Sequence, residues 1–147
     1  MNKQDLSKFV GYWDKRGCME QRVTHLYGYY SEDLNYPEGI RCNVEALYDP
    51  PQLGDMSGHA ELPDPKRHVV DMIAAALGLE RVGQMFTKLD QETILSETEI
   101  RKAAAMQHLY EFDHPVGFKV SKQVTIVVKK NGFGETEFEA YMVSDMA

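Results

Sequence analysis

Histidines are the residues of this chain best suited to catalysis or metal binding, so their spacing is the first test of its chemistry. The sequence contains five of them: His25, His59, His68, His108 and His114. No two form an HxH, HExxH or HxxxH pair, the spacings that bring two imidazoles onto one metal ion. The pattern disfavours a zinc site. We expect His25 to be a hydrogen-bonded interior residue, and His59 and His68 to be solvated.

Other catalytic signatures are also missing from the sequence. It has no GxxxxGK[ST] phosphate loop and no GxSxG nucleophile elbow, so nucleotide hydrolysis and acyl transfer lack support. Glu135, Glu137 and Glu139 alternate with less polar residues, which predicts one exposed strand face rather than a catalytic carboxylate pair. We therefore expect neither an enzyme nor a bound cofactor.

Helical periodicity and capping residues predict three helices. In the second, Asp64 is placed to be the N-cap with Pro65 in the first turn. In the third, Ser96 and Glu99 have the spacing of a capping box. The apolar positions at helical spacing are Leu6, Phe9, Val10 and Trp13 in the first helix, and Val69, Val70, Ile73 and Leu77 in the second.

Alternating apolar residues predict strands, and turn residues join them into hairpins. The predicted strands are Gln21 to Ser31, Ile40 to Asp49, Arg81 to Thr87, Lys119 to Lys130 and Thr136 to Ser144, with a turn at Asn131-Gly132 and a long irregular loop from Pro50 to Pro63. The resulting order, αββαβαββ, predicts a mixed α/β (α+β) fold with one sheet covered by helices.

Composition limits the possible partners. With 147 residues and 43% hydrophobic content, we expect a single domain over residues 1–147. Asp and Glu outnumber Lys and Arg by 23 to 16, which disfavours nucleic acid. Apolar stretches such as Met72 to Leu79 are too short to span a bilayer. We expect a soluble intracellular protein without membrane insertion, in which Cys18 and Cys42 stay reduced.

Two strings of residues carry a resemblance to a known family. They are Tyr-Asp-Pro-Pro-Gln at Tyr48 to Gln52 and Ala-Leu-Gly-Leu-x-x-Val-Gly at Ala76 to Gly83. The chain resembles the MPN domain of the nuclear protein localization protein four family, in register from about Phe9 to Met142. The resemblance implies a JAB-like mixed sheet flanked by helices, of the cytidine-deaminase-like type. It also implies that the chain is a fragment of a longer protein.

The resemblance also implies which positions would form a catalytic site. Active MPN relatives, the JAMM metalloproteases, use an upstream Glu as base, two histidines of an H-x-H-P motif and the aspartate of Ser-x-x-Asp. Gln21 stands at the position of the Glu, although Glu20 is adjacent. Phe86 and Lys88 replace the histidines, and Ser96 with Glu99 retains part of the last motif. An amide, an aromatic ring and an ammonium cannot perform these roles.

The function implied by the resemblance is that of a non-catalytic, ubiquitin-handling adaptor. With ubiquitin fusion degradation protein one, such an adaptor brings polyubiquitinated substrates to the AAA ATPase valosin-containing protein. It works in the cytoplasm and nucleus, including the cytosolic face of the endoplasmic reticulum. Candidate contact residues are the cluster Tyr27, Tyr29, Tyr30 and Tyr36, together with Pro50, Pro51 and Phe133. Aromatic side chains are favoured at interfaces, and strand alternation leaves open which tyrosines face solvent.

Two alternatives stay open at this point. The first is a zinc isopeptidase with a rearranged site, in which Glu20, His25 or Glu99 would converge on the metal from other positions. The second is an MPN scaffold subunit of a translation-initiation or proteasome-lid complex. An extended peptide could also add to an open sheet edge, but the sequence does not identify the free edge.

Overall fold

The computed structural model describes residues 3–56, 58–89, 94–113 and 115–144. Within these ranges the chain forms three helices and nine strands. The helices are α1 (Lys3–Lys15), α2 (Arg67–Ala76) and α3 (Glu97–Leu109). The strands are β1 (Val23–Glu32), β2 (Ile40–Tyr48), β3 (Gln52–Gly54), β4 (His59–Glu61), β5 (Glu80–Lys88), β6 (Phe112–Asp113), β7 (Lys119–Val120), β8 (Val124–Lys130) and β9 (Thr136–Tyr141).

The main sheet has five strands in the order β2-β1-β5-β8-β9. Strands β5 and β8 run parallel, and the other neighbours are antiparallel. This mixed sheet with its helices confirms the predicted α/β class, and both predicted hairpins are present. Gly28 lies at a register shift between β1 and β2, where an added Cβ would stand 1.8 Å from the carbonyl oxygen of Asn43. Only glycine permits that close approach.

The core lies between α1 and the sheet. Phe9 and Trp13 are the buried residues of α1, and they pack with Leu26, Met85 and Val128 from three central strands. This confirms that the first predicted helix packs on the core. Strand β5 lies in the centre of the sheet, and its residues from Val82 to Lys88 are all buried.

Two predictions about the middle of the chain were wrong. The predicted irregular loop contains the β3–β4 hairpin, in which Leu53 pairs with Ala60. Helix α2 begins at Arg67, and its N-cap is Lys66, which makes no side-chain capping bond. Asp64 instead accepts a hydrogen bond from the Lys66 amide in the preceding turn. Most of the apolar face of α2 points to solvent, since Ile73 is 56% exposed.

The end of the chain also differs from its prediction. The expected strand from Lys119 to Lys130 is divided, because β7 pairs with β6 in a separate small sheet and only β8 joins the main sheet. The expected two-residue turn is a longer loop, closed by a 2.8 Å bond from the Asn131 amide to the Glu135 carbonyl. The side-chain oxygen of Asn131 accepts a hydrogen bond from the backbone N–H of Phe133, and Gly134 has a positive φ of 75°.

Candidate functional site

The positions that would form a JAMM site meet in the folded chain. Gln21 precedes β1, Lys88 ends β5, and Glu99 lies in the first turn of α3. The Lys88 ammonium donates a 2.8 Å hydrogen bond to Glu99 Oε2, and the Gln21 amide donates a 3.2 Å bond to Oε1 of the same carboxylate. Ser96 completes a full capping box with Glu99, as predicted. Gln21, Lys88, Ser96 and Glu99, which the resemblance singled out, are therefore neighbours in space.

A buried ion pair is the centre of this cluster. Lys88 and Glu99 are 5% and 6% exposed. Burial opposes ionisation of Glu99, but hydrogen bonds from Lys88, the Ser96 amide and Gln21 outweigh it, so the pKa of this carboxyl lies below its usual range. The carboxylate is held in its charged form by the cation beside it. Both of its oxygens are already hydrogen-bonded within the protein.

His59 is a member of the cluster that sequence reasoning missed. Its Nδ1 lies 2.6 Å from Oε1 of Gln21, an acceptor, so Nδ1 carries the proton. The His59 ring packs against Phe86 with centroids 5.6 Å apart. Burial and the nearby Lys102 ammonium lower the pKa of His59 to about 4, which keeps it neutral. The expectation of a solvated histidine was wrong because His59 sits on β4, inside the segment taken for a loop.

Gly54 brings the β3–β4 hairpin close enough for this contact. An added Cβ at Gly54 would stand 2.0 Å from the backbone carbonyl oxygen of Gln21. The backbone N–H of Gln21 donates a 2.9 Å hydrogen bond to the backbone carbonyl of Asp55. The hairpin therefore packs directly on the backbone of Gln21. Glycine flanking a short alternating run was the available sequence signal for this close approach.

The residues of the cluster do not fit a zinc ion. At the two positions to which the resemblance assigns imidazoles, this chain has a phenyl ring and an ammonium that is hydrogen-bonded to Glu99. The alternative ligands are engaged elsewhere, since Glu20 pairs with Arg16 at 2.8 Å and His25 with Glu61 at 2.5 Å. Among the described residues, no group of three His, Cys, Asp or Glu side chains is placed to hold a metal. His25 is thus the buried, hydrogen-bonded residue that was expected.

The four candidate tyrosines divide into an inner and an outer pair. Tyr27 is buried and donates a 2.9 Å bond to Asp71, and Tyr30 is half-buried and donates to the Lys122 carbonyl at 2.9 Å. Tyr29 and Tyr36 are 44% and 70% exposed. Only the outer pair presents an aromatic surface to a partner.

The remaining candidates lie apart from one another. Pro51 is exposed but Pro50 is buried, so Pro50 is not accessible to a partner. Phe133 is 91% exposed in the loop after β8. Because β8 runs parallel to β5 and β1 runs antiparallel to it, Phe133 and Tyr36 lie at opposite ends of the sheet. They cannot form one contact surface.

Comparison with known proteins identifies the family. The family model described as "NPL4 family" matches residues 22–147, and the chain belongs to this family. The nuclear protein localization protein 4 homologs of Mus musculus and Homo sapiens are each 36% identical over 156 residues, covering 94% of this chain and 25% of each relative. The nuclear protein localization protein 4 of Debaryomyces hansenii is 35% identical over 160 residues, covering 97% of this chain and 28% of that protein.

The match confirms the predicted resemblance and limits what it transfers. The chain spans about a quarter of the length of these relatives, so the activity of the whole relative is not automatically that of this segment. Gln21 lies immediately before the matched residues. The relatives are named for nuclear protein localization, and among the described residues no helix has the length and apolar character needed to cross a membrane.

Proposed function

We propose that this chain is a non-catalytic MPN-type scaffold of a ubiquitin-handling adaptor. The observation that carries the proposal is the buried Lys88–Glu99 pair, 2.8 Å apart, at the positions of a histidine ligand and the metal-binding aspartate. A cation hydrogen-bonded to the remaining carboxylate opposes a second cation at the same place. Gln21, an amide engaged with Glu99 and His59, supplies no general base.

Metal content and chain cleavage test the non-catalytic role. We expect purified protein to contain no stoichiometric zinc by mass spectrometry of metals, and to leave ubiquitin chains intact. Zinc at one equivalent together with cleavage that a chelator abolishes would contradict the proposal and favour the rearranged isopeptidase. An active JAMM enzyme under the same conditions is the positive control.

The proposed partners are those that the resemblance implies. They are ubiquitin fusion degradation protein one, polyubiquitinated or unfolded substrates and, mainly through regions outside this chain, the valosin-containing AAA ATPase. The proposed location is the cytoplasm and nucleus, including the cytosolic face of the endoplasmic reticulum. Affinity purification tests these partners: recovery of translation-initiation or proteasome-lid subunits in their place would contradict the adaptor role.

A peptide scan of ubiquitin fusion degradation protein one tests the docking surface. The outer strands β2 and β9 each pair with one neighbour in the described sheet, and Glu137 and Glu139 on β9 discourage strand addition there. We expect a short segment to bind near β2 through main-chain hydrogen bonds and aromatic contacts. Tyr29→Ala should weaken binding without changing the melting temperature. Tyr12→Ala, at a tyrosine of 45% exposure on α1, is the matched control. Failure of every segment to bind would contradict the proposal.

A further inference from the structure

A second polar site shares His59 with the cluster but does not include Lys88 or Glu99. It is a cleft of about 440 Å³ between β4, the start of β5 and the last turns of α3. Its polar lining consists of His25, His59, Glu61, Arg67, Arg81, Gln84, Lys102 and Tyr110. Apolar walls come from Ala60, Ala105, Met106 and Leu109. The cleft therefore combines cationic groups with an apolar surface.

The guanidinium groups of this cleft donate hydrogen bonds only to neutral groups among the described residues. Arg81 donates to the Gly83 carbonyl at 3.0 Å and to the Tyr110 hydroxyl at 3.4 Å, with Met106 Sδ at 3.7 Å. Arg67 donates to the same hydroxyl at 3.2 Å. In the part of the chain that the structure describes, no carboxylate forms an ion pair with either group. Burial lowers the pKa of Arg81, as expected for a cation short of negative charge.

The charge count of the cleft indicates the charge of its ligand. Arg67, Arg81 and Lys102 supply three positive charges, and Glu61 in the lining supplies one negative charge. A second negative charge, on Asp71, lies close enough to act on Arg67. Leaving the histidines aside, about one positive charge is left over. A monoanion matches this surplus better than a dianion such as a phosphate ester.

We propose that the cleft binds a single carboxylate carried by an apolar group, such as the end of an apolar peptide. Arg67 and Arg81 would hold the carboxylate, since a guanidinium can donate two parallel hydrogen bonds to it. The apolar group would lie against Met106 and Leu109. The site goes beyond the adaptor role and does not depend on it, because it requires only the residues of this cleft.

Titration of the purified 147-residue chain with three peptides tests the site. The probes are acetyl-Ala-Leu-Leu with a free C-terminus, the same peptide as its C-terminal amide, and acetyl-Ala-Leu-Glu amide, which carries its carboxylate on a side chain. Calorimetry or nuclear magnetic resonance shifts would report binding. We expect the free acid to bind at least about tenfold more tightly than the amide. The third peptide shows whether a side-chain carboxylate can replace a terminal one.

Variants locate the binding in the cleft. Arg81→Gln and Arg67→Gln should each weaken free-acid binding about tenfold or more, and Arg81→Lys should fall between wild type and Arg81→Gln. Arg67 is exposed, so its variant remains informative if Arg81→Gln does not fold. Ala105→Asp, which adds a competing carboxylate to the cleft wall, should abolish binding. Arg41→Gln, at an exposed arginine on β2, is the matched control and should bind as wild type does.

Three outcomes would overturn the proposal. The first is equal binding of the free acid and the amide, which would mean that no carboxylate is recognised. The second is an equal loss in Arg41→Gln and Arg67→Gln, which would indicate only general electrostatic attraction. The third is inorganic phosphate that binds as tightly as the free-acid peptide and competes with it, which would define an oxyanion site without an apolar component. The zinc and cleavage assays are unaffected by any of these outcomes.

Discussion

The two ends of strand β5 bury cations in opposite ways. Lys88, at the end of the strand, is paired with Glu99 at 2.8 Å. Arg81, near its start, has only a carbonyl, a hydroxyl and a thioether as hydrogen-bond partners. We call the Lys88 end the closed end, because a carboxylate pairs with its cation. We call the Arg81 end the open end, because its cation forms no ion pair with the described residues and lines the cleft. A single strand therefore carries both a finished structural pair and a site available to a ligand.

Helix α3 accounts for this difference. Its first turn places Glu99 on Lys88, where the helix N-terminus also favours the negative carboxylate. Its last turns place the Met106 thioether and the Tyr110 hydroxyl on Arg81, two groups that carry no charge. The same helix thus gives one cation a charged partner and the other only neutral ones. Four substitutions distinguish these two arrangements.

Removing the carboxylate at the closed end should have the largest effect. Glu99→Gln leaves the Lys88 ammonium buried without a counter-charge, and we expect it to lower the free energy of unfolding at pH 7 by about 3 to 5 kcal/mol. Urea denaturation measures this loss. Glu97→Gln is the matched control, because Glu97 lies in the same turn with its side chain 78% exposed. A loss below about 1 kcal/mol for Glu99→Gln would show that the pair contributes little.

Protonation of His59 should destabilise the closed end by a smaller amount. The folded pKa is about 4 and the ordinary value 6.5, so between these values the unfolded chain binds a proton that the folded chain does not. Stability should therefore fall as the pH drops from about 6.5 to about 4, by up to about 3 kcal/mol from this residue. His59→Asn retains a donor for Gln21 but does not titrate. Denaturation at pH 7 and 4.5 should show a weaker pH dependence in this variant; equal slopes would contradict the assignment.

Removing the N-cap of α3 tests how much the capping hydrogen bond to Glu99 stabilises the fold. Ser96→Ala loses the 3.2 Å hydrogen bond that the Glu99 backbone amide donates to the Ser96 hydroxyl, and should lower the free energy of unfolding by roughly 0.5 to 2 kcal/mol. Partner binding should be unchanged. If a partner is lost while the melting temperature stays the same, Ser96 is instead a contact residue.

Removing the cation at the open end should have the smallest effect. Arg81→Met deletes a partly buried charge that forms no ion pair with a carboxylate of the described residues, so we expect stability to change by less than about 1 kcal/mol. Lys88→Met is the comparison, since it leaves Glu99 buried without its cation. Equal losses in the two variants, measured by urea denaturation, would mean that Arg81 is as fully satisfied as Lys88 and that the two ends do not differ.

Local sequence patterns predicted the elements that local physics determines. The stripe from Leu6 to Trp13 defined α1, and Ser96 with Glu99 defined the start of α3, because a capping box satisfies backbone groups a few residues away. Alternation defined both hairpins of the main sheet. The resemblance also singled out Gln21 and Lys88, which both contact Glu99 in the structure.

Tertiary packing decided the features that have no local signal. His59 became part of the cluster because Gly54 lets the β3–β4 hairpin pack on Gln21, a contact between distant segments. The exposure of Tyr29 and the burial of Pro50 depend on which face other elements cover. By itself the sequence determined which ionisable groups the chain possesses. Whether each group would be neutralised was decided by the path of α3 across β5, because the energy of a buried charge depends on what lies within a few ångströms of it.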